Sequence, residues 1–498
     1  MNNQDHNIAQ GDSAVDKQMN DNRSTTQTQT ITGNENINAG RDVGREHHQR
    51  PTSSASTCLL PSQDEVFLHR EKELTWLDKQ LLPDKVVAVC GPGGMGKSAL
   101  AARAVRRLPP DRFPDGIIFH TFYHQTETSK ALQTIARTLH LLVKGDLQQE
   151  VAEALGSRQA LLILDSAEEA DDLPALLRLR GRCGVLITTR KKSDCGPLRW
   201  DLQALPDEQA EDVLRAWCGQ AGDQQAIKQI AELLGGWPVA LRLAGHYLHS
   251  TGEPATDYLR WLQEELLLKK AQNGKNRAVG LDGIIQHSVN QLSKKARLAL
   301  EITGVLAFAP FRERAKVALL KHFNHCMMWE LCRLLISLLV HRQAWLLHST
   351  ERDLRFCRKV LNELVDMGLL ERQGEGWQVS HSLIYAYVHK EMFLSDVTHK
   401  LLALYYRDFF EKHSKAGSEG YALLDEERVH CLQVMESCLN REQWKEVRDL
   451  ARAMWEYLDQ SERWPEQLAA QKMRLIAARR AGDLREQVLC YHTLGYEC

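Results

Sequence analysis

Three side chains with phosphate and cation chemistry stand at telling places in the sequence: Lys97, Ser98 and Asp165. The first two close GPGGMGKS, residues 91–98, a full match to G-x-x-x-x-G-K-[ST]. Glycines let such a turn curl until successive N–H groups face inward and cradle phosphate oxygens. A lysine placed there reaches the β- and γ-phosphates, and the serine hydroxyl ligates Mg²⁺. Asp165 ends ALLILD, residues 160–165. A carboxylate at the carboxyl end of an apolar strand lies where open α/β sheets bind ligands, and it can hold Mg²⁺ through water. The expected cofactor is therefore ATP or ADP with Mg²⁺. Gly91, Gly93, Gly94, Met95, Gly96, Lys97, Ser98 and Ala99 would contact the nucleotide, and Ser98 and Asp165 the metal. The plainer readings, a chance glycine turn and a capping aspartate, fit less well, because both motifs stand in order on suitable elements.

Those elements are legible in the apolar pattern. Residues 85–90 read as a valine-rich strand and 98–108 as the helix whose dipole faces the phosphates. Residues 116–122, 160–165 and 184–189 read as further strands, and 128–142 as a helix. Nearly continuous apolar strands alternating with helices predict a parallel sheet covered on both faces. Beyond residue 200 the strands stop, and 207–218, 224–234 and 238–248 read as amphipathic helices. KKAQNGKNRA, residues 269–278, reads as a polar linker. A helix over 360–370, GEGWQVS as a hairpin and HSLIYAYV as a helix predict a winged helix. Trp444, Trp464 and Leu484 recur at about 20-residue spacing, each followed by a helix, which predicts a tetratricopeptide-like solenoid, with an ordinary helical bundle as the alternative. The last helix carries no polar capping repeat, so the solenoid is expected to be cut short. The fold class expected is thus an α/β P-loop NTPase domain, then helical and winged-helix domains, then α-helical repeats. The boundaries fall at 1–57, 58–200, 201–268, 269–395 and 396–498.

Residues 1–57 are dominated by Asn, Gln, Thr, Ser and Asp and are expected to be disordered, since they hold too little apolar surface to offset ordering entropy. QTQTITGNENINAGRDV, residues 27–43, admits a second reading, polar ladders stacking between chains. With 498 residues the chain exceeds a single core, and a formal charge of −2 gives it no general attraction to nucleic acid. No apolar run spans a bilayer; the greasiest, residues 331–340, holds an arginine and reads as a buried helix. The 12 cysteines form no C-x-x-C pair, and the amino terminus has no secretory signal, so a cytoplasmic protein with reduced core thiols is expected.

Further motifs resemble the NB-ARC branch of the STAND signalling ATPases across residues 65–395. FLHREKEL, residues 67–74, is similar to the family's hhGRExEL lead-in, with His69 in place of its glycine. Thr188-Thr189-Arg190 resembles the sensor TTR, and GGWPVAL, residues 235–241, resembles G-L-P-L-A-L. HSVNQL, residues 287–292, resembles the S-Y-x-x-L that opens the winged helix, and Val379-Ser380-His381-Ser382-Leu383 the M-H-D motif. The resemblance implies a switch in which ADP is buried between the P-loop domain and the winged helix. Arg190 would sense the γ-phosphate, Pro238 pack near adenine, His381 touch the β-phosphate, and Arg70 lie near the nucleotide. Each residue also has a plainer reading: Arg190 a solvated strand-end charge, Pro238 a helix-starting proline, His381 a core or surface histidine. Ser166 replaces the second acid or Asn of many relatives, so no water-activating base is apparent and hydrolysis should be slow. Ser382 replaces the M-H-D aspartate, which would loosen the ADP-locked state.

The expected behaviour is that an unknown protein or ligand trigger binds the helical repeats, nucleotide exchanges, and opened chains self-associate. Moving from 1:99 to 99:1 requires about 5.5 kcal/mol of differential affinity. Defence signalling is one family-level output. The rival readings are a STAND-type transcription regulator, an ordinary P-loop ATPase, and a scaffold whose nucleotide only stabilises the fold.

Overall fold

The computed structural model describes residues 66–273, 280–313 and 351–496, apart from 142, 144 and 220–222. Expectations for residues 1–57 and 331–340 lie outside the described residues. Strands β1 (Val86–Cys90), β2 (Ile117–Thr121), β3 (Leu161–Asp165), β4 (Gly184–Thr189) and β5 (Leu198–Asp201) form one sheet in the order β2-β3-β4-β1-β5, with every pairing parallel.

Side chains alternate across this sheet. Val87, Val89, Leu161, Ile163 and Leu186 pack toward α1 (Glu71–Gln80) and α2 (Lys97–Arg107). Ala88, Leu162, Leu164, Val185 and Ile187 pack on the other side toward α3 (Thr128–Thr138), α4 (Leu147–Gly156) and α5 (Leu173–Arg178). Both faces are buried, which is why the strands read as unbroken apolar runs. Each fully buried aliphatic side chain contributes roughly 1.5–3 kcal/mol.

Two local expectations change here. Strand β5 was not anticipated, because Leu198 and Trp200 alternate with Arg199 and Asp201 instead of forming an apolar run. Among the described residues it is an edge strand that pairs only with β1. Helix α3 stops at Thr138 and not at 142, since Leu139 and His140 leave the helix and His140 takes a φ of +53°.

Helices α6 (Asp207–Cys218), α7 (Gln224–Leu233), α8 (Pro238–Thr251) and α9 (Ala255–Asn273) follow. Helix α9 runs on through residues 269–273, so the expected linker begins later and a boundary at 268 would fall inside a helix. Next come α10 (Leu281–Asn290), α11 (Lys294–Val305), α12 (Glu351–Asp366), the antiparallel hairpin β6 (Leu370–Gln373) and β7 (Gly376–Val379), and α13 (Ser382–Glu391). Helix α12 ends before the expected residue 370. Gly368, at φ +70°, reverses the chain, and the Leu369 N–H bonds the Leu364 carbonyl at 2.9 Å, which releases Leu370 into the hairpin.

The remaining helices are α14 (Asp396–His413), α15 (Gly417–Asn440), α16 (Trp444–Gln460), α17 (Trp464–Arg480) and α18 (Leu484–Tyr496). Helices α16, α17 and α18 start at residues 444, 464 and 484, as the spacing predicts. Each preceding turn closes alike: Gln443, Arg463 and Asp483 donate to the carbonyls of Cys438, Leu458 and Ala478 at 2.9, 2.9 and 3.0 Å. The turn residue before each of these donors is left-handed: Glu442 at φ +58°, Glu462 at +52° and Gly482 at +70°. A left-handed conformation is costly for any residue but glycine. Replacing exposed Glu462 with glycine should therefore stabilise the repeats by about 0.5–1 kcal/mol, and Gly482→Ala should destabilise them by a similar amount. Urea unfolding followed by circular dichroism reads both changes.

Candidate nucleotide site

The phosphate-loop motif leaves the carboxyl end of β1 and enters α2, with Gly96 as N-cap at φ +83°. Its carbonyls are committed one after another. Lys97 Nζ donates to the carbonyls of Gly91 and Pro92, both at 2.9 Å. The Trp237 indole donates to the Gly93 carbonyl at 2.9 Å, and the Val239 N–H to the Gly94 carbonyl at 3.3 Å. A trans peptide carries its C=O and the next N–H on opposite sides. With the Gly93 and Gly94 carbonyls aimed at α8, the N–H groups of Gly94 and Met95 point away from it. Gly94 cannot carry a side chain, since its φ is +77° and a Cβ there would lie 2.5 Å from Val239 Cγ1.

Across the loop lies Asp165. Ser98 Oγ and Thr188 Oγ1 each donate to Asp165 Oδ1 at 2.6 Å. Burial pushes the Asp165 carboxyl pKa up, against the downward pull of these two hydroxyls and of Lys97. Desolvation lowers the Lys97 ammonium, opposed by Glu168 and Asp165. A serine hydroxyl and a buried carboxylate meeting beside a lysine are hard oxygen donors, and this set fits Mg²⁺. Ser98 and Asp165 would hold the ion, which would neutralise phosphate charge.

Arg190 follows β4 and is partly exposed. Its Nε donates to Glu168 Oε1, its backbone N–H to Glu168 Oε2 at 3.1 Å, and its Nη2 to Glu169 Oε1 at 3.1 Å. Both acids lie in a 3₁₀ turn, Ala167–Glu169, that opens at left-handed Ser166. The Ser166 N–H is tied to Thr188 Oγ1 at 3.0 Å, and through it to Asp165.

Two more helix starts close over the loop. Pro238 is the first residue of α8, after the N-cap Trp237. His381 is the N-cap of α13, its Nδ1 accepting from the Leu383 N–H at 3.1 Å. The Leu383 side chain reaches the loop, 3.5 Å from where a Gly93 Cβ would sit. Tyr123, just past β2, donates its hydroxyl to the Ser382 carbonyl at 2.7 Å. Gly91, Gly93, Gly94, Lys97, Ser98, Asp165, Trp237 and Leu383 are thus linked by direct contacts, and His381 and Pro238 stand next to contacting residues. Arg70 is buried, and its described bonds go to Glu73 Oε1 and the Gln203 carbonyl, both at 3.0 Å. It ties the α1 start to the segment after β5, whose Leu202 carbonyl would meet a Gly91 Cβ at 2.8 Å. His69, in place of the glycine, takes a φ of +60° and pairs with Asp212 at 3.0 Å. Sequence reasoning missed Tyr123 and Leu383, whose partners lie far away in the chain.

Residues 69–208 match the family model described as the NB-ARC domain. The chain carries an NB-ARC domain. That match spans the whole sheet, including Lys97, Asp165 and Arg190. Over 178 residues the chain is 27% identical to the regulatory protein AfsR of Streptomyces coelicolor, covering 33% of this chain and 18% of that one. It therefore spans under a fifth of that relative's length. Among solved structures, a Signal Transduction ATPase with Numerous Domains carrying a tetratricopeptide repeat sensor, from Pyrococcus horikoshii, is 16% identical. The similarity covers 87% of this chain and 59% of that one, with a TM-score of 0.48. Cdc6p of Pyrobaculum aerophilum is 16% identical over 66% of this chain and 96% of its own, with a TM-score of 0.33. Among the described residues no helix is long and apolar enough to cross a membrane.

Desolvation, then the charges of Arg242 and Lys97, push the His381 imidazole beside the NB-ARC loop down to about 3. The unfolded chain, with an ordinary histidine near 6.5, binds the extra proton first as pH falls. The His381 contribution is complete above pH 6.5 and is lost progressively toward pH 3. Between pH 7 and 5 the wild type should lose up to about 2 kcal/mol more than His381→Asn, which keeps a capping oxygen but does not titrate. Denaturation midpoints at the two pH values measure this difference.

Proposed function

We propose that the chain is a nucleotide-operated signal-transduction switch of the STAND kind, closed with ADP and opened by exchange for ATP. The observation that carries this reading is the packing of the α8 and α13 starts directly on the phosphate loop. A change in the phosphate chain is thereby felt at both helices at once. The proposed parts are a self-assembling or disordered segment (1–57), the nucleotide domain (58–200), a helical domain (201–268), a winged helix (269–395) and repeats (396–498). An unknown trigger binds the repeats, and opened chains associate. Arg190 reads the γ-phosphate, His381 the β-phosphate, and Pro238 and Arg70 border the nucleotide. Glu168 and Glu169 are both engaged with Arg190, which supports slow hydrolysis, since neither is poised to activate water.

A 27% identity over 187 residues to a putative HTH-type transcriptional regulator of Mycobacterium tuberculosis, covering 34% of this chain and 21% of that one, favours a second reading, a regulator of transcription. Salt-dependent binding of duplex DNA by the purified chain would support it.

The switch reading requires Arg190 to discriminate ATP from ADP. A charge-assisted bond to phosphate is worth about 1.5–3 kcal/mol, so Arg190→Ala should lower the ATP-over-ADP affinity ratio by about tenfold or more. Calorimetric titration with Mg²⁺ and each nucleotide measures it. An unchanged ratio would remove the reading.

A further inference from the structure

Glu169 occupies a position that the nucleotide chemistry alone does not require. One carboxylate oxygen, Oε1, accepts from Arg190 Nη2 at 3.1 Å. The other, Oε2, accepts from the backbone N–H of His124 at 3.1 Å. His124 sits at φ +55°, a left-handed conformation that a histidine adopts only when its surroundings hold it there. The neighbouring Tyr123 donates its hydroxyl to the Ser382 carbonyl at 2.7 Å, in the first turn of α13 and beside His381. Tyr123 also packs edge-on against Phe308 and Tyr385, at centroid distances of 5.0 and 6.3 Å. A single carboxylate therefore bridges the strand-end arginine and the turn that grips the winged-helix segment.

We propose that Glu169 is the positioning residue that couples the state of Arg190 to the hold on α13. This rests on the reading that Arg190 senses the γ-phosphate. With ADP, Arg190 stays on Glu168 and Glu169, the His124 turn remains pinned, and Tyr123 keeps Ser382 over the phosphate loop. When a γ-phosphate draws Arg190 away, Glu169 loses the cation that orients it. The left-handed turn at His124 then relaxes, and Tyr123 slackens its grip on α13. Glu168 cannot substitute. Its carboxylate is directed to the Arg190 backbone and Nε, and its own carbonyl is held by Lys191 Nζ at 2.7 Å.

The test is nucleotide release from the full chain with Mg²⁺, followed by stopped-flow fluorescence of methylanthraniloyl-ADP and methylanthraniloyl-ATP. Glu169→Ala should speed ADP release roughly tenfold, equivalent to about 1.4 kcal/mol, and leave ATP release within about twofold. Tyr123→Phe keeps the ring and its packing and removes only the hydroxyl, and it should give the same selective acceleration. The double variant should release ADP no faster than either single one, because both substitutions break one linkage. A merely structural role would accelerate both nucleotides alike. Equal acceleration, unchanged ADP release, or independent multiplying effects would each overturn the coupling. Those outcomes, with Arg190→Ala still lowering the ATP-over-ADP affinity ratio, would leave the switch reading intact. An Arg190→Ala chain that keeps its discrimination would sink both.

Discussion

The carbonyls of the phosphate loop are the constraint on which the rest of the structure depends. Buried backbone carbonyls must be satisfied, and here the two central ones are satisfied by a helix start about 144 residues further along the chain. The Trp237 indole and the Val239 amide supply those bonds from α8. Holding the loop curled and holding α8 against the sheet are consequently one event. The Leu383 contact extends the same dependence to α13. Any shift of the loop therefore disturbs two helices that belong to different parts of the chain.

Electrostatics sharpen that dependence. Lys97 and Asp165 are both largely buried, and each offsets the desolvation of the other. Removing one partner would leave an uncompensated buried charge, which is far costlier than losing an exposed pair. Thr188 joins Asp165 to Ser166 and so to the turn carrying Glu168 and Glu169. The acids that occupy Arg190 are in this way built onto the Asp165 carboxylate rather than placed independently.

Much of this was legible from local sequence. The glycine turn, the strand ending in Asp165 and the 20-residue helix spacing depend on neighbours close in the chain, and each lies where the pattern predicted. Strand β5 was hidden because an edge strand needs no continuous apolar run. Helix α9 was read as a linker at 269–273 because lysine and glutamine suit either state. Nothing local in the sequence shows where Glu168 and Glu169 point; the left-handed Ser166 and the 3₁₀ turn aim both at Arg190. The Tyr123–Ser382 bond, across 259 residues, leaves no local trace. Likewise only the fold reveals that α8 satisfies the loop.

The most direct measurement is hydrogen exchange at residues 239–241 and 382–385, in the first turns of α8 and α13, in the full chain with Mg²⁺ and either ADP or ATP. If the loop and these helices move together, both turns are protected with ADP, and exchange rises in both by about tenfold or more with ATP, in line with a coupling above about 1.4 kcal/mol. Equal protection with the two nucleotides would contradict the dependence of domain packing on the phosphate loop.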